Sequence, residues 1–213
     1  MAAFCASGRG KDGQYRPKRR ANTVMTDTMN NDSSDDSSAH DKAPDKSIVL
    51  VGLMGAGKTS VGQRLAGLMG RPFVDVDHEV EVAAGCSVQD IFDLYGEEAF
   101  RDCERKVIAR ILDEGPVVLA TGGGAFMDPA SRDAIANKGI SVWIRADLET
   151  LVRRTGRKAG RPLLKGRNPA EVLEKLMSER DPVYTLADIT VDTSHESPDI
   201  TAQKIADRLG RPS

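Results

Sequence analysis

Cysteine is scarce in this chain: Cys5, Cys86 and Cys103 are all it has. An odd number without metal-like spacing predicts neither a disulfide framework nor a zinc site, and a reducing, cytoplasmic compartment follows. Histidine is equally sparse. His40, His78 and His195 are scattered and read as surface or packing residues. No run approaches the roughly 18 apolar residues of a membrane span. No apolar segment follows the early basic residues either, so a signal peptide is not expected. The net charge is only −2, which leaves no global field to draw the chain to nucleic acid or to a membrane. Heptads and internal repeats are missing, and a monomer is expected.

What is present starts with Gly52-Leu53-Met54-Gly55-Ala56-Gly57-Lys58-Thr59. It fits the phosphate-binding loop pattern of Gly, four residues, then Gly-Lys-Thr. The context fits as well. Ile48 to Val51 before it is a short apolar, β-branched run, as in a buried parallel strand. Ser60 to Met69 after it carries Val61, Leu65 and Leu68 on one helical face. Glycines let the backbone wrap a phosphate, and successive N–H groups at a helix start point at the anion. Gly55, Ala56, Gly57, Lys58, Thr59 and Ser60 are therefore expected to hold a nucleotide. Lys58 would reach the β- and γ-phosphates and the Thr59 hydroxyl would bind Mg²⁺.

The 213 residues suffice for one domain with a real core. Residues 1–46 have almost no aliphatic content. Arg9 to Arg20 is basic and Asn30 to Asp45 is rich in Ser and Asp, so this stretch is expected to be a disordered extension. Translation from Met25 or Met29 is an alternative reading of the same stretch. Residues 47–213 are expected to form the folded domain. Phe73 to Asp77 reads as a second strand, with Asp75 and Asp77 on one face by strand alternation. Helices are predicted over Glu79–Ala84, from the Ser87 cap onward, and over Glu97–Leu112. Pro116 to Thr121 is a third strand running into Gly122-Gly123-Gly124, where a ligand can approach the backbone. Ser131–Lys138 is a helix, Ile140–Ile144 a fourth strand and Leu148–Arg154 a helix.

Arg153 to Pro162 is basic and Gly-punctuated, as a lid over phosphates requires, and the lid is set at about 155–167. A helix over Ala170–Arg180, a fifth strand at Ile189–Val191 and a final helix from Pro198 with Ile200, Ile205 and Leu209 complete the pattern. Strands alternate with helices throughout. That predicts an α/β fold with a parallel sheet covered on both faces and a ligand site at the C-terminal strand edge.

At that edge the phosphate loop, the acid pair and the triple glycine come together. The chain there resembles the shikimate kinase family from about Ser47 to Leu209. The motifs are Gly52–Thr59, Asp75-Val76-Asp77, Gly85-Cys86-Ser87-Val88 with Ile91-Phe92, Gly96 to Arg101, Gly122 to Ala125, Arg161 to Leu164, and Glu179 to Tyr184. The resemblance implies a P-loop kinase fold, with a five-stranded parallel sheet in the order 2-3-1-4-5 and a substrate-binding region at about 77–105. It implies ATP-dependent phosphorylation of the shikimate 3-hydroxyl, with Mg²⁺ as cofactor and shikimate and ATP as small-molecule partners. Carried over by position, Asp77 holds the acceptor hydroxyls and acts as base. Arg101 and Arg180 clamp the acceptor carboxylate, and Gly123 and Gly124 contact its ring. Asp75 supports Mg²⁺ beside Thr59, Arg161 in the lid reaches the phosphates, and Arg154 with Pro198 sandwiches adenine. His78 and Glu79 depart from the family's less charged residues after the second acid, and the N-terminal extension lies outside its pattern.

Three other readings of the chain fit less well. A gluconate kinase-like enzyme shares the loop and fold but does not account for the Phe-Arg and Gly-Gly-Gly segments together. A GTPase switch wants Asn-Lys-x-Asp, and Asn137-Lys138-Gly139-Ile140 lacks the Asp. A catalytically dead nucleotide-binding regulator has nothing to support it, since Lys58, Thr59, Asp75, Asp77 and Arg101 are all present.

Overall fold

The computed structural model describes residues 46–156 and 168–210. Of the extension expected over 1–46, residues 1–45 lie outside the described residues, as do residues 157–167 of the lid expected at about 155–167, Arg161 among them.

Five strands form one parallel sheet: β1 (Ser47–Val51), β2 (Phe73–Asp75), β3 (Val118–Ala120), β4 (Gly139–Arg145) and β5 (Ile189–Asp192), in the order β2-β3-β1-β4-β5. This is the order the resemblance implied. β1 is central and pairs with β3 through Ile48↔Val118 and Leu50↔Ala120, and with β4 through Ser47↔Gly139 to Val51↔Trp143. Helices cover both sides of such a strand, which is why all of β1 is apolar apart from Ser47. Ile48 to Val51 have no exposed surface. Ser47 satisfies its buried hydroxyl by donating to the Gly115 carbonyl and accepting from the Val117 amide, each at 3.2 Å. The order of strand addition reverses at β1, with β3 on one side of it and β4 on the other. That switch point, at the C-terminal strand ends, is where an open α/β sheet places its ligand.

The helices are α1 (Lys58–Leu68), α2 (Val76–Ala84), α3 (Val88–Glu114), α4 (Pro129–Lys138), α5 (Leu148–Thr155), α6 (Pro169–Tyr184) and α7 (Pro198–Leu209). Their starts follow the sequence closely. Ser87 and Asp90 form a reciprocal capping box on α3, and Asp128, Asp147, Asn168 and Ser197 cap α4 to α7.

Several boundaries differ from expectation. β2 stops at Asp75, because the Asp75 carboxylate accepts the Asp77 amide at 3.1 Å and caps α2. Asp77 is therefore in the first helical turn, and the acid pair is built by a strand-to-helix turn rather than by strand alternation. α3 begins at Val88 and runs to Glu114 with one break at Gly96, whose φ of 81° and ψ of 173° are not helical. A side chain there would strain the backbone. α6 continues past Asp181-Pro182 to Tyr184. The missing Pro182 amide costs one helical hydrogen bond, but burial of Tyr184 holds the last turn in place. In α1, Val61 and Leu65 are buried while Leu68 is exposed. The sheet claims the Gly62 side instead: a Cβ at Gly62 would lie 2.6 Å from the Phe73 ring. In α7, Ile200 is likewise exposed while Thr201, Ala202 and Ile205 are buried.

Candidate active site

The phosphate loop leaves β1 and enters α1. Gly52, Gly55 and Gly57 take φ of 133°, 84° and 102°, a region closed to most side chains. These turns curl the loop ahead of α1, with the Ala56 amide closing onto the Leu53 carbonyl at 3.2 Å. Lys58 Nζ lies over the loop, donating to the Gly52 and Leu53 carbonyls at 2.7 and 2.9 Å. The Thr59 hydroxyl donates to Asp75 Oδ2 at 2.9 Å. That bond ties the start of α1 to the end of β2.

The loop forms one wall of a cleft of about 670 Å³. Gly55 to Ser60, Asp75, Asp77, Arg101, Gly123, Gly124, Arg154, Arg180 and Pro198 all line it. Every site residue expected from the sequence is thus in one cleft, except Arg161, which is not among the described residues.

At the nucleotide end, Arg154 is held by the phosphate loop and by the segment after β5. Its Nη1 donates to the Ala56 carbonyl at 3.1 Å and its Nη2 to the Thr193 carbonyl at 2.8 Å. Burial, and then the neighbouring Arg153, lower its pKa from the usual guanidinium value. Thr193 Oγ1 also donates to the Ala56 carbonyl at 3.1 Å. Two elements far apart in sequence therefore fix one loop carbonyl.

At the other end, Asp77 is exposed to solvent along the cleft, while protein packs around its remaining sides and desolvates it in part. That burial, and then the Asp75 charge, raise its pKa, while Lys58 and Arg101 pull it back down. Arg101 stands on α3 between two acids. Its Nη1 donates to Glu104 Oε2 at 2.7 Å, and its Nε and Nη2 donate to Glu97 Oε1 at 3.3 and 3.1 Å. Its guanidinium also lies over the Phe100 ring at 5.0 Å. Burial alone would lower the Arg101 pKa, but Glu104 and Glu97 reverse this and raise it. The group stays charged at the mouth of an acid-rich pocket.

The glycines are explained by these neighbours. A Cβ on Gly124 would land on the Arg101 guanidinium, and one on Gly122 would land on Glu104 Oε1 and lie 3.0 Å from Asp77 Oδ1. Gly122 thus separates two carboxylates, and Gly124 gives Arg101 a place to lie flat. Arg180 on α6 donates to the Gly123 carbonyl at 2.9 Å, and so does the Tyr184 hydroxyl.

Glu104 is the site residue that sequence reasoning missed. Its side chain is 2% exposed, and Oε1 is buried without a hydrogen-bond partner among the described residues. Burial raises its pKa, with Arg101 opposing. A signal existed: Glu97, Arg101 and Glu104 stand at helical spacings of four and three, which puts both acids beside one Arg. Tyr184 falls within the Glu179 to Tyr184 motif, but nothing in its spacing predicts a bond to Gly123.

A phosphate loop at the switch point of a parallel sheet, facing an acid pair and two arginines across one cleft, defines a P-loop kinase for a small anionic acceptor. The model of the family "Shikimate kinase" matches residues 54–210. The curated shikimate kinase of Paramagnetospirillum magneticum is 56% identical over 164 residues, 77% of this chain and 84% of that protein. That of Mesorhizobium japonicum is 48% identical over 166 residues, 78% and 82% of the two chains. Among solved structures, shikimate kinase from Acinetobacter baumannii in complex with shikimate is 40% identical with a TM-score of 0.75. The alignment covers 78% of this chain and 94% of that one. The chain belongs to the shikimate kinase family.

Proposed function

We propose that this chain transfers the γ-phosphoryl group of ATP to the 3-hydroxyl of shikimate, giving shikimate 3-phosphate and ADP in the route to aromatic amino acids. Family membership supports the reaction. The observation that carries the residue roles is that the phosphate loop, Asp77, Arg101 and Arg180 line one cleft.

The acceptor end binds an anion. Arg101 and Arg180 offer planar forks that match a carboxylate, while Gly123 and Gly124 leave room for the ring. Asp77 orients the 3-hydroxyl and takes its proton. Its raised pKa moves it toward the range in which a carboxylate is an effective base. The bond from the acceptor oxygen to the γ-phosphorus forms as the bond to the β,γ-bridging oxygen breaks, and the electron pair leaves with ADP. Lys58 moves from the Gly52 and Leu53 carbonyls to the β- and γ-phosphates, where charge accumulates. Arg154 and Pro198 flank the adenine.

Mg²⁺ fits the donors present. Thr59 and Asp75 supply a hydroxyl and a carboxylate 2.9 Å apart, both hard oxygens. The described residues hold no cluster of three or more metal-binding side chains. That suits an ion which takes one or two protein oxygens and fills its remaining positions with phosphate and water. When bound, it neutralises charge on the phosphates. No described helix is long and apolar enough to cross a membrane. Few cysteines support a cytoplasmic setting, a net charge of −2 supports a protein that binds neither nucleic acid nor membrane, and a sequence without heptads supports a monomer.

A coupled ADP-release assay with ATP and Mg²⁺ tests the reading, comparing shikimate, gluconate and no acceptor. Strong turnover with shikimate alone is expected. Turnover with gluconate only would overturn the acceptor assignment, and ATP hydrolysis regardless of acceptor would overturn the transfer reaction itself.

A further inference from the structure

Tyr184 has no exposed surface, and yet it reaches the cleft through one backbone atom. Its ring stacks on Trp143 with centroids 5.7 Å apart and on Phe126 at 6.4 Å. Its hydroxyl donates to the Gly123 carbonyl, which also accepts from Arg180 Nη1 at 2.9 Å. Residues 180 and 184 stand one turn apart on α6, so two donors from the same helix face share one acceptor.

Gly123 has little freedom on its other side. A Cβ there would lie 3.3 Å from the Met54 amide nitrogen and 3.5 Å from the Gly52 carbonyl. Gly52 in turn is backed by Trp143, whose Cδ1 would be 3.3 Å from a Cβ on Gly52. The triple-glycine segment is thus wedged between α6 and the root of the phosphate loop. A Phe at 184 would fill the same space and stack on the same rings. The hydroxyl therefore serves the Gly123 carbonyl rather than the core. Burial raises the Tyr184 pKa, so the group remains a neutral donor and takes no proton from the reaction.

We propose that Tyr184 is a positioning residue of the acceptor site, whose hydroxyl anchors the Gly123 carbonyl and so leaves Arg180 placed to meet an anionic acceptor. The proposal rests on the shikimate kinase reading of the cleft. Arg180 spends one N–H on the Gly123 carbonyl and also meets the Tyr184 hydroxyl directly, and its remaining guanidinium donors are left for an acceptor. With the phenol hydroxyl gone, Arg180 becomes the sole donor to that carbonyl among the described residues. The segment and the arginine then shift together, and the effect falls on the acceptor and not on the nucleotide.

The test is Tyr184→Phe, studied by steady-state kinetics, by calorimetric titration with shikimate and by thermal melting. The expected result is a rise of about fivefold in the shikimate KM and Kd, the worth of one hydrogen bond, with the ATP KM within about twofold of wild type. Unchanged shikimate constants beside an active wild type would overturn the role of Tyr184 alone. A matched rise in both KM values with a lowered melting temperature would also overturn it, since that pattern marks general loosening. A wild-type chain that neither binds nor phosphorylates shikimate would overturn the reading beneath it as well.

Discussion

Arg101 and Glu104, three residues apart on α3, form an ion pair of 2.7 Å in which the acid side chain is 2% exposed and the arginine 23%. The acid is the deeper partner. It holds Arg101 from beneath and leaves the outer guanidinium edge toward the cleft, with Glu97 bracing the other side. Removing Glu104 leaves Arg101 with Glu97 as its remaining acid and a gap where the buried carboxylate lay. Glu104→Ala is therefore expected to cost about 3 kcal/mol of stability, measured by urea denaturation. Glu104→Gln keeps the shape and loses the charge. Its shikimate KM is expected to rise about tenfold with less loss of stability, and an unchanged KM would remove Glu104 from the acceptor site.

As the proposed base, Asp77 is expected to set an acid limb on activity. Burial and the Asp75 charge raise its pKa, so the base is protonated at higher pH than an ordinary carboxylate. The limb in kcat/KM is expected above the ordinary carboxylate range. For stability the sign is opposite to that of a salt-bridged acid. The folded state binds the proton more tightly than the unfolded state, so stability falls as pH rises from the unfolded pKa through the raised folded one. Asp77→Asn is expected to melt higher than wild type at pH 7 and to lose about 100-fold or more in kcat. A lower melting temperature at pH 7 would contradict the crowding inferred for this side chain.

Gly124→Ala carries no backbone penalty, because φ at Gly124 is −107°. Its effect is contact alone: the new methyl group lands on the Arg101 guanidinium. The shikimate KM is expected to rise about tenfold while the ATP KM stays near wild type. Equal rises in both would place Arg101 nearer the nucleotide than the acceptor.

Asp75→Asn separates the two tasks of that side chain. Asparagine still caps α2, so the fold should be retained, with a melting temperature close to wild type. The lost charge is expected to raise the Mg²⁺ concentration for half-maximal activity by about 10-fold or more. An unchanged Mg²⁺ dependence would leave Asp75 as a cap only.

Lys58→Ala removes the phosphate-loop cation proposed to meet the transferring phosphate. A fall of about 100-fold or more in kcat is expected, with the fold intact by circular dichroism. Turnover at the wild-type rate would reject the phosphate-loop assignment.

Sequence reading reached some of these residues more directly than others. Lys58 and Thr59 were legible because the loop's function is encoded in seven consecutive bonds, with a strand before and a helix after. Asp75 and Asp77 were legible as a pair but not in their geometry: alternation placed them on a strand, and the Asp75 cap instead started a helix at Val76. The capped helix starts at Ser87 and Pro198 were also readable, since a cap is a contact between residues three apart. Leu68 and Ile200 were misassigned to buried faces. Periodicity finds an apolar stripe but does not say which edge of it the sheet will cover.

Arg101 and Arg180 marked a site only through the family resemblance, and Glu104 was not seen at all. The sequence by itself determined the phosphate loop, the alternation of strands and helices, and hence a parallel sheet with its site at the C-terminal edge, because each of these is set by neighbours within one or two turns. Only the tertiary structure decided that Arg180 and Tyr184 meet Gly123, 57 and 61 positions away, and that Gly122 parts two acids. Such partnerships depend on how whole elements pack. An isolated arginine or buried carboxylate carries no local pattern from which its partner can be read.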